Sequence, residues 1–276
     1  MATPVLTRHR LPGAIAEILV DVRAGNRRAS GPAVVLCHGF QGFKDWGFFP
    51  PLAERLARAG YVVVSWNASG SGVDDAGEVA SPERFGRNTF SAELRDLETV
   101  LRAVESGALD CTPPTSIGLM GHSRGGGLAV LAAARNDQVS ALVTWAAVSH
   151  ARRWSEEMQR RWREAGFLEV TNKRTGRVLK LFPDVLDDID RNATVLDIAA
   201  AADRIACPWL VIHGAVDETV SVHEGEALAA SAAHPELRIV ERTGHTFGAV
   251  HPFNGMNPAL AEAFDATVDF LGRALT

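Results

Sequence analysis

Three residues far apart in the chain have the types and local settings that acyl-transfer chemistry requires. Ser123 stands in Gly121-His122-Ser123-Arg124-Gly125, with glycines at the two positions where a tight strand-to-helix corner leaves no room for a side chain. Such a corner points the hydroxyl out of the backbone, and holding a serine in so sparsely populated a conformation costs about 1 to 3 kcal/mol. The helix that follows begins at the serine and aims its free N–H groups at negative charge developing there. A serine hydroxyl is a weak nucleophile until a positioned base takes its proton, and the base needs an acid to fix its tautomer and support its charge. Asp217, four residues past the apolar run 209–213, and His245, just past the run 237–241, supply those types in the order serine, acid, histidine.

Competing residues are weaker on position. His251 precedes Pro252 within a connecting segment, whereas His245 follows a strand directly in a glycine-containing loop. Glu218 is one residue further from its strand than Asp217, and Asp187 and Asp188 fall in an insertion. The negative oxygen of a tetrahedral intermediate needs two backbone donors, each contributing about 3 kcal/mol to the transition state. The expected donors are the N–H of Arg124, the residue after the nucleophile, and that of Phe40 in His38-Gly39-Phe40. His38 itself is expected to brace its loop by hydrogen bonding.

These residues must be carried by a sheet whose carboxyl edge they share. Continuous apolar runs at 33–37, 61–66, 117–120, 141–148 and 209–213 read as strands buried on both faces, and 15–23 as an exposed, antiparallel opening strand. A polar turn is expected over 25–32. Between the runs, helices are expected at 50–59, 90–104, 124–134, 222–232 and from Pro258 onward; Phe90, Leu94, Leu97, Leu101 and Val104 form one apolar stripe. Strands alternating with helices imply an α/β fold, a parallel sheet with helices on both faces. The 58 residues 149–206 are far longer than an ordinary connection and read as an inserted cap, leaving 1–148 and 207–276 as the core. Within it, Trp154, Met158, Trp162 and Ala165 are spaced as a stripe on one helix, and 167–171 with 177–182 flank Asn172-Lys173-Arg174-Thr175-Gly176 like a hairpin. Trp145, Trp154, Met158 and Trp162 are candidates to line a substrate pocket; Trp46, Phe48 and Phe49 could add to it.

Composition bounds the function classes. With 46% hydrophobic and 22% charged residues in 276, the chain suits one large globular domain. A net charge of −5 and scattered arginines give no basic field for nucleic acid. No apolar run has the length of a signal peptide core or a membrane span, so a cytoplasmic location and no membrane partner are expected. Cys37, Cys111 and Cys207 are an odd number, unsuited to a full disulfide framework, and show no metal-ligand spacing. No metal and no cofactor are expected.

The motifs HGFQGF, GHSRGG, HGAVDETV and TGHTFG, taken in order, resemble the α/β-hydrolase superfamily over nearly the whole chain. The HGFQGFKDW turn, the NASGSG loop and the cap further resemble dienelactone-hydrolase-like and cinnamoyl (feruloyl) esterase-like proteins. The resemblance implies a mostly parallel eight-stranded sheet with a cap after the sixth strand, and a cofactor-independent serine esterase acting on small to medium acyl or aryl esters. The cysteine nucleophile of a true dienelactone hydrolase is replaced here by Ser123, so its lactone chemistry does not carry over. Asn67-Ala68-Ser69-Gly70-Ser71-Gly72 departs from the Asp-x-Arg-Gly-x-Gly of many relatives. Two other readings stay open: a peptidase of the prolyl-oligopeptidase or aminopeptidase type, and a non-catalytic binding module on the same fold. The sequence leaves oligomeric state open, a homodimer included.

Overall fold

The computed structural model describes residues 3–25, 31–172 and 174–275. Most of the polar turn expected over 25–32, and Lys173 of the hairpin turn, lie outside the described residues. The chain opens with an antiparallel pair, β1 (Val5–Pro12) and β2 (Glu17–Ala24). There follow β3 (Ala33–Cys37), α1 (Phe49–Arg58), β4 (Val62–Asn67), α2 (Pro82–Gly86), α3 (Phe90–Glu105), β5 (Ile117–His122), α4 (Arg124–Ala133) and β6 (Val139–Trp145). After β6 come α5 (Glu156–Ala165), β7 (Leu168–Thr171), β8 (Val178–Leu181), α6 (Asp184–Arg191) and α7 (Ile198–Ala202). The sheet resumes with β9 (Trp209–Gly214), α8 (Val222–Ser231), β10 (Pro235–Val240) and α9 (Pro258–Ala274).

Eight strands form one sheet in the order β1-β2-β4-β3-β5-β6-β9-β10. From β4 to β10 every neighbouring pair is parallel, and β2 joins β4 antiparallel. Alternation of side chains across the strands feeds two cores. Val35, Leu119 and Leu142 face one, with Leu97 and Leu101 of α3 and Leu128 of α4. Val34, Leu36, Met120 and Val143 face the other, with Leu52 and Leu56 of α1 and Phe264 of α9. This is the expected α/β architecture with helices on both faces, and its parallel strands bring the ends of β3, β5, β9 and β10 to one edge.

Some expectations need correction. β2 is not exposed: it is an inner strand paired on both edges, and Ile18, Val20 and Val22 are buried because their face packs into the core that Leu97 and Leu101 of α3 also enter. The stripe proposed for one cap helix is broken, since Ser155 caps α5 by accepting from the Met158 N–H and so leaves Trp154 ahead of the helix. The hairpin is present as the antiparallel pair β7 and β8. No helix among the described residues is long and apolar enough to cross a membrane.

Candidate active site

The end of β5 and the start of α4 approach so closely that only glycine fits around Ser123. A Cβ on Gly121 would stand 2.2 Å from the Gly125 carbonyl oxygen, and one on Gly125 would stand 2.4 Å from that of His38. Ser123 itself takes φ 58° and ψ −122°, a conformation that side chains rarely adopt. Its N–H donates to the Trp145 carbonyl at 2.9 Å, and its own carbonyl accepts from Gly126, Gly127 and Val148.

The three residues singled out by type converge on this corner. His245 Nε2 lies 2.9 Å from Ser123 Oγ, and His245 Nδ1 lies 2.8 Å from Asp217 Oδ2. With Nδ1–H donated to Asp217, Nε2 is left to accept the serine proton. The Asp217 side chain is fully buried, and its other oxygen accepts from the Thr219 and Val220 N–H groups at 2.8 and 3.0 Å. Burial pushes this carboxyl up, but hydrogen bonds from His213 and His245 and from the Val220 N–H outweigh it and hold the group well below the usual carboxylate range.

Supporting residues surround the three. His213, fully buried in β9, places Nε2 2.9 Å from the Val220 carbonyl and 3.5 Å from Asp217 Oδ2. His122 donates from Nε2 to the His245 carbonyl at 2.8 Å, with the two rings 4.7 Å apart. Burial, reinforced by repulsion from His245, pushes His122 down to about 3. His38 receives the Ala68 N–H on Nε2 at 3.2 Å and donates from Nδ1 to the Gly39 carbonyl at 2.9 Å, bracing its loop. His251 is elsewhere engaged, its Nδ1 accepting from the Gly47 N–H at 3.0 Å. The sequence reading missed His213 and His122 as supports; the placement of His213 four residues before Asp217 was its one visible signal.

The turn carrying Phe40 abuts Ser123, since a Cβ on Gly39 would come within 3.0 Å of Ser123 Cβ. Arg124 is the first residue of α4. Neither the Phe40 nor the Arg124 N–H is hydrogen bonded to another described residue. Ser123 and His245 open into a cleft of about 560 Å³ whose walls include Phe40, Gln41, Trp46, Phe49, Val170, Thr171 and Arg174.

None of the four expected pocket residues lines that cleft. Trp145 is fully buried in the core with its indole N–H on Thr267 Oγ1 at 3.0 Å. Trp162 is buried with its N–H on the Leu181 carbonyl at 2.7 Å, and Trp154 packs edge-on against it at 5.0 Å. Met158 is 44% exposed on the outer side of α5. Phe48 is core as well, whereas Trp46 and Phe49 do face the cleft. Cys37 is buried in β3, and burial pushes its thiol up to about 12.

The alpha/beta hydrolase fold family is matched over residues 32–175, and the chain belongs to that family. An uncharacterised 31.7 kDa protein of Escherichia coli, from the traX-finO intergenic region, is 26% identical over 86% of this chain and 89% of its own length. The 2,6-dihydropseudooxynicotine hydrolase of Paenarthrobacter nicotinovorans is 23% identical over 88% of this chain and 60% of its own. Among solved structures, Est1E from Butyrivibrio proteoclasticus superposes with a TM-score of 0.69 at 19% identity, covering 97% of this chain and 98% of that one. Est1E is also solved with ferulic acid bound. The chain is a hydrolase of this fold.

Proposed function

We propose that this protein is a serine hydrolase that cleaves carboxylic esters through an acyl-enzyme. The observation that carries the reading is the unbroken relay from Ser123 Oγ to His245 to Asp217, at 2.9 and 2.8 Å, on the floor of an open cleft. Ser123 attacks the ester carbonyl while His245 takes its proton. His245 then returns that proton to the departing alkoxide, so the alcohol leaves neutral and Ser123 is acylated. Water, deprotonated by the same imidazole, attacks the acyl-enzyme; the Ser123 Oγ–acyl bond breaks, the acid leaves, and the imidazolium returns its proton to Ser123 Oγ. Asp217 holds His245 in the tautomer whose Nε2 can accept, and stabilises the imidazolium. The free N–H groups of Phe40 and Arg124 bind the oxyanion of both tetrahedral intermediates.

The cleft supports an apolar or aryl acyl group of small to medium size. Its rings, Phe40, Trp46 and Phe49, are the kind of surface that aromatic acids stack on, and Est1E, of like fold, holds ferulic acid. Three free cysteines suit a reducing compartment, and we place the protein in the cytoplasm on that ground.

The test is labelling of the purified protein with a fluorescent fluorophosphonate beside Ser123→Ala and His245→Ala, followed by a panel of aryl and alkyl esters and matched amides. Labelling of the wild type that both variants lose, with esters turned over faster than amides, is the expected result. A folded wild type that takes no label contradicts the reading, and faster turnover of amides would move the assignment to a peptidase.

A further inference from the structure

Arg124 contributes its backbone to the proposed site, yet its side chain turns inward. It is 7% exposed, a rare state for arginine outside an ion pair. Its Nε donates to Glu93 Oε2 at 2.7 Å, and its guanidinium carbon lies 3.9 Å from the centre of the Phe90 ring. Glu93, on α3, is 5% exposed, and its second oxygen accepts from Asn88 Nδ2 at 2.5 Å. Glu93, Arg124 and Asn88 form part of the wall of a small cavity of about 20 Å³, room for one water, and Gly39 and Phe40 of the preceding turn form another part. Arg124 Nη2 and Asn88 Oδ1, a donor and an acceptor, are both buried without a partner among the described residues. Both oxyanion donors therefore border one polar, charged compartment.

A buried ion pair adds little net stability over an apolar replacement of the same volume, so its worth is to be sought in geometry. We propose that the Glu93–Arg124 pair is the positioning device of the oxyanion hole, tying the first residue of α4 to α3 so that its N–H meets the transition-state oxygen. The inference rests on the serine hydrolase reading and deepens it. Neither Glu93 nor Arg124 is among the residues that line the cleft into which Ser123 opens. The pair acts through the backbone it holds, and an oxyanion hole acts on the transition state rather than on the bound ester.

The test is Glu93→Gln, which keeps the shape and removes the charge. A displacement of the donor on the order of 1 Å lowers kcat roughly 10- to 100-fold. KM for an aryl ester stays near wild type, and affinity for a boronic acid that forms a tetrahedral adduct on Ser123 falls by the same factor as kcat. The pH profile keeps its shape, because His245 and Asp217 are untouched. A merely structural pair would lower the unfolding midpoint and leave kcat and boronate affinity unchanged in the folded enzyme, and that result overturns the proposal. If Glu93→Gln does not fold, the double variant Glu93→Gln with Arg124→Met removes both charges and keeps an apolar side chain over Phe90. Wild-type kcat in the double variant also overturns the proposal, whereas loss of kcat with retained KM supports it. Failure of the underlying reading looks different, since a wild type without turnover or labelling overturns both.

Discussion

His122 makes the native state sensitive to acid in a way that can be worked out from its surroundings. It is buried beside Ser123, donates to the His245 carbonyl at 2.8 Å, and is held neutral down to about 3 against an ordinary value of 6.5. The unfolded chain protonates this ring near its ordinary value, so between those limits it binds a proton that the native state refuses. Stability then rises with pH across the window and falls as pH drops, by about 1.4 kcal/mol per unit. At a pH of about 4.5, roughly two units below the unfolded value, the loss attributable to His122 is about 3 kcal/mol. The assay is urea unfolding of wild type and His122→Gln near pH 7.5 and again near pH 4.5. Glutamine offers a donor to the same carbonyl and does not titrate, and the carboxylates common to both proteins cancel in the difference. Wild type should lose about 3 kcal/mol more than the variant on acidification. Equal losses, within about 0.5 kcal/mol, would refute the argument that burial keeps this ring neutral.

Asp217 is shifted in the same direction, its folded value lying below the ordinary one, so it too loses stability on acidification, but in a lower window: its contribution is present above the unfolded carboxylate value and disappears as pH falls toward the folded one. Asp217→Asn should remove that acid-side component from the unfolding curve and lower kcat roughly 10⁴-fold, while the fold, followed by circular dichroism, persists. Gly121→Ala, whose Cβ would sit 2.2 Å from a backbone oxygen, should cost about 1 to 3 kcal/mol or more in urea and abolish fluorophosphonate labelling, because the corner must open to admit it. Trp162→Ala and Trp46→Ala should separate core from cleft. The first is expected to lose about 3 to 5 kcal/mol of stability with little change in kcat/KM, and the second to reverse that pattern towards aryl esters. Equal effects of the two on aryl ester hydrolysis would refute the assignment of cleft walls.

The site was legible in the sequence wherever a reacting type followed an apolar run. Ser123, Asp217 and His245 lie just beyond β5, β9 and β10, and a parallel sheet brings those ends together whatever their separation along the chain. The aromatic residues carried no such marker. Trp145 and Trp162 read as cleft or core alike until their indole partners, Thr267 and the Leu181 carbonyl, come into view, and those are facts of packing between segments. β1 was hidden for a different reason. Its burial alternates, but Leu6 is on the exposed side while Thr7 and His9 are on the half-buried one, so the pattern of side-chain types does not follow the pleat. Glu93 was read only as a member of a helix, since nothing local tells a buried charge from a solvated one. The short helices α2, α6 and α7 fell below the length at which periodicity speaks.

The corner at Ser123 is secured from outside itself. Its N–H is bonded to the end of β6, and its carbonyl receives the Val148 N–H from beyond that strand as well as two N–H groups of α4. A conformation at φ 58° has little to hold it until those partners arrive. The expectation is that the Ser123 corner closes late on the folding path, after β5, β6 and α4 have docked, and that a partly folded chain carries an inert serine. In a refolding experiment, burial of the core tryptophans should precede the return of fluorophosphonate reactivity, and the interval between the two signals times the closing of the corner.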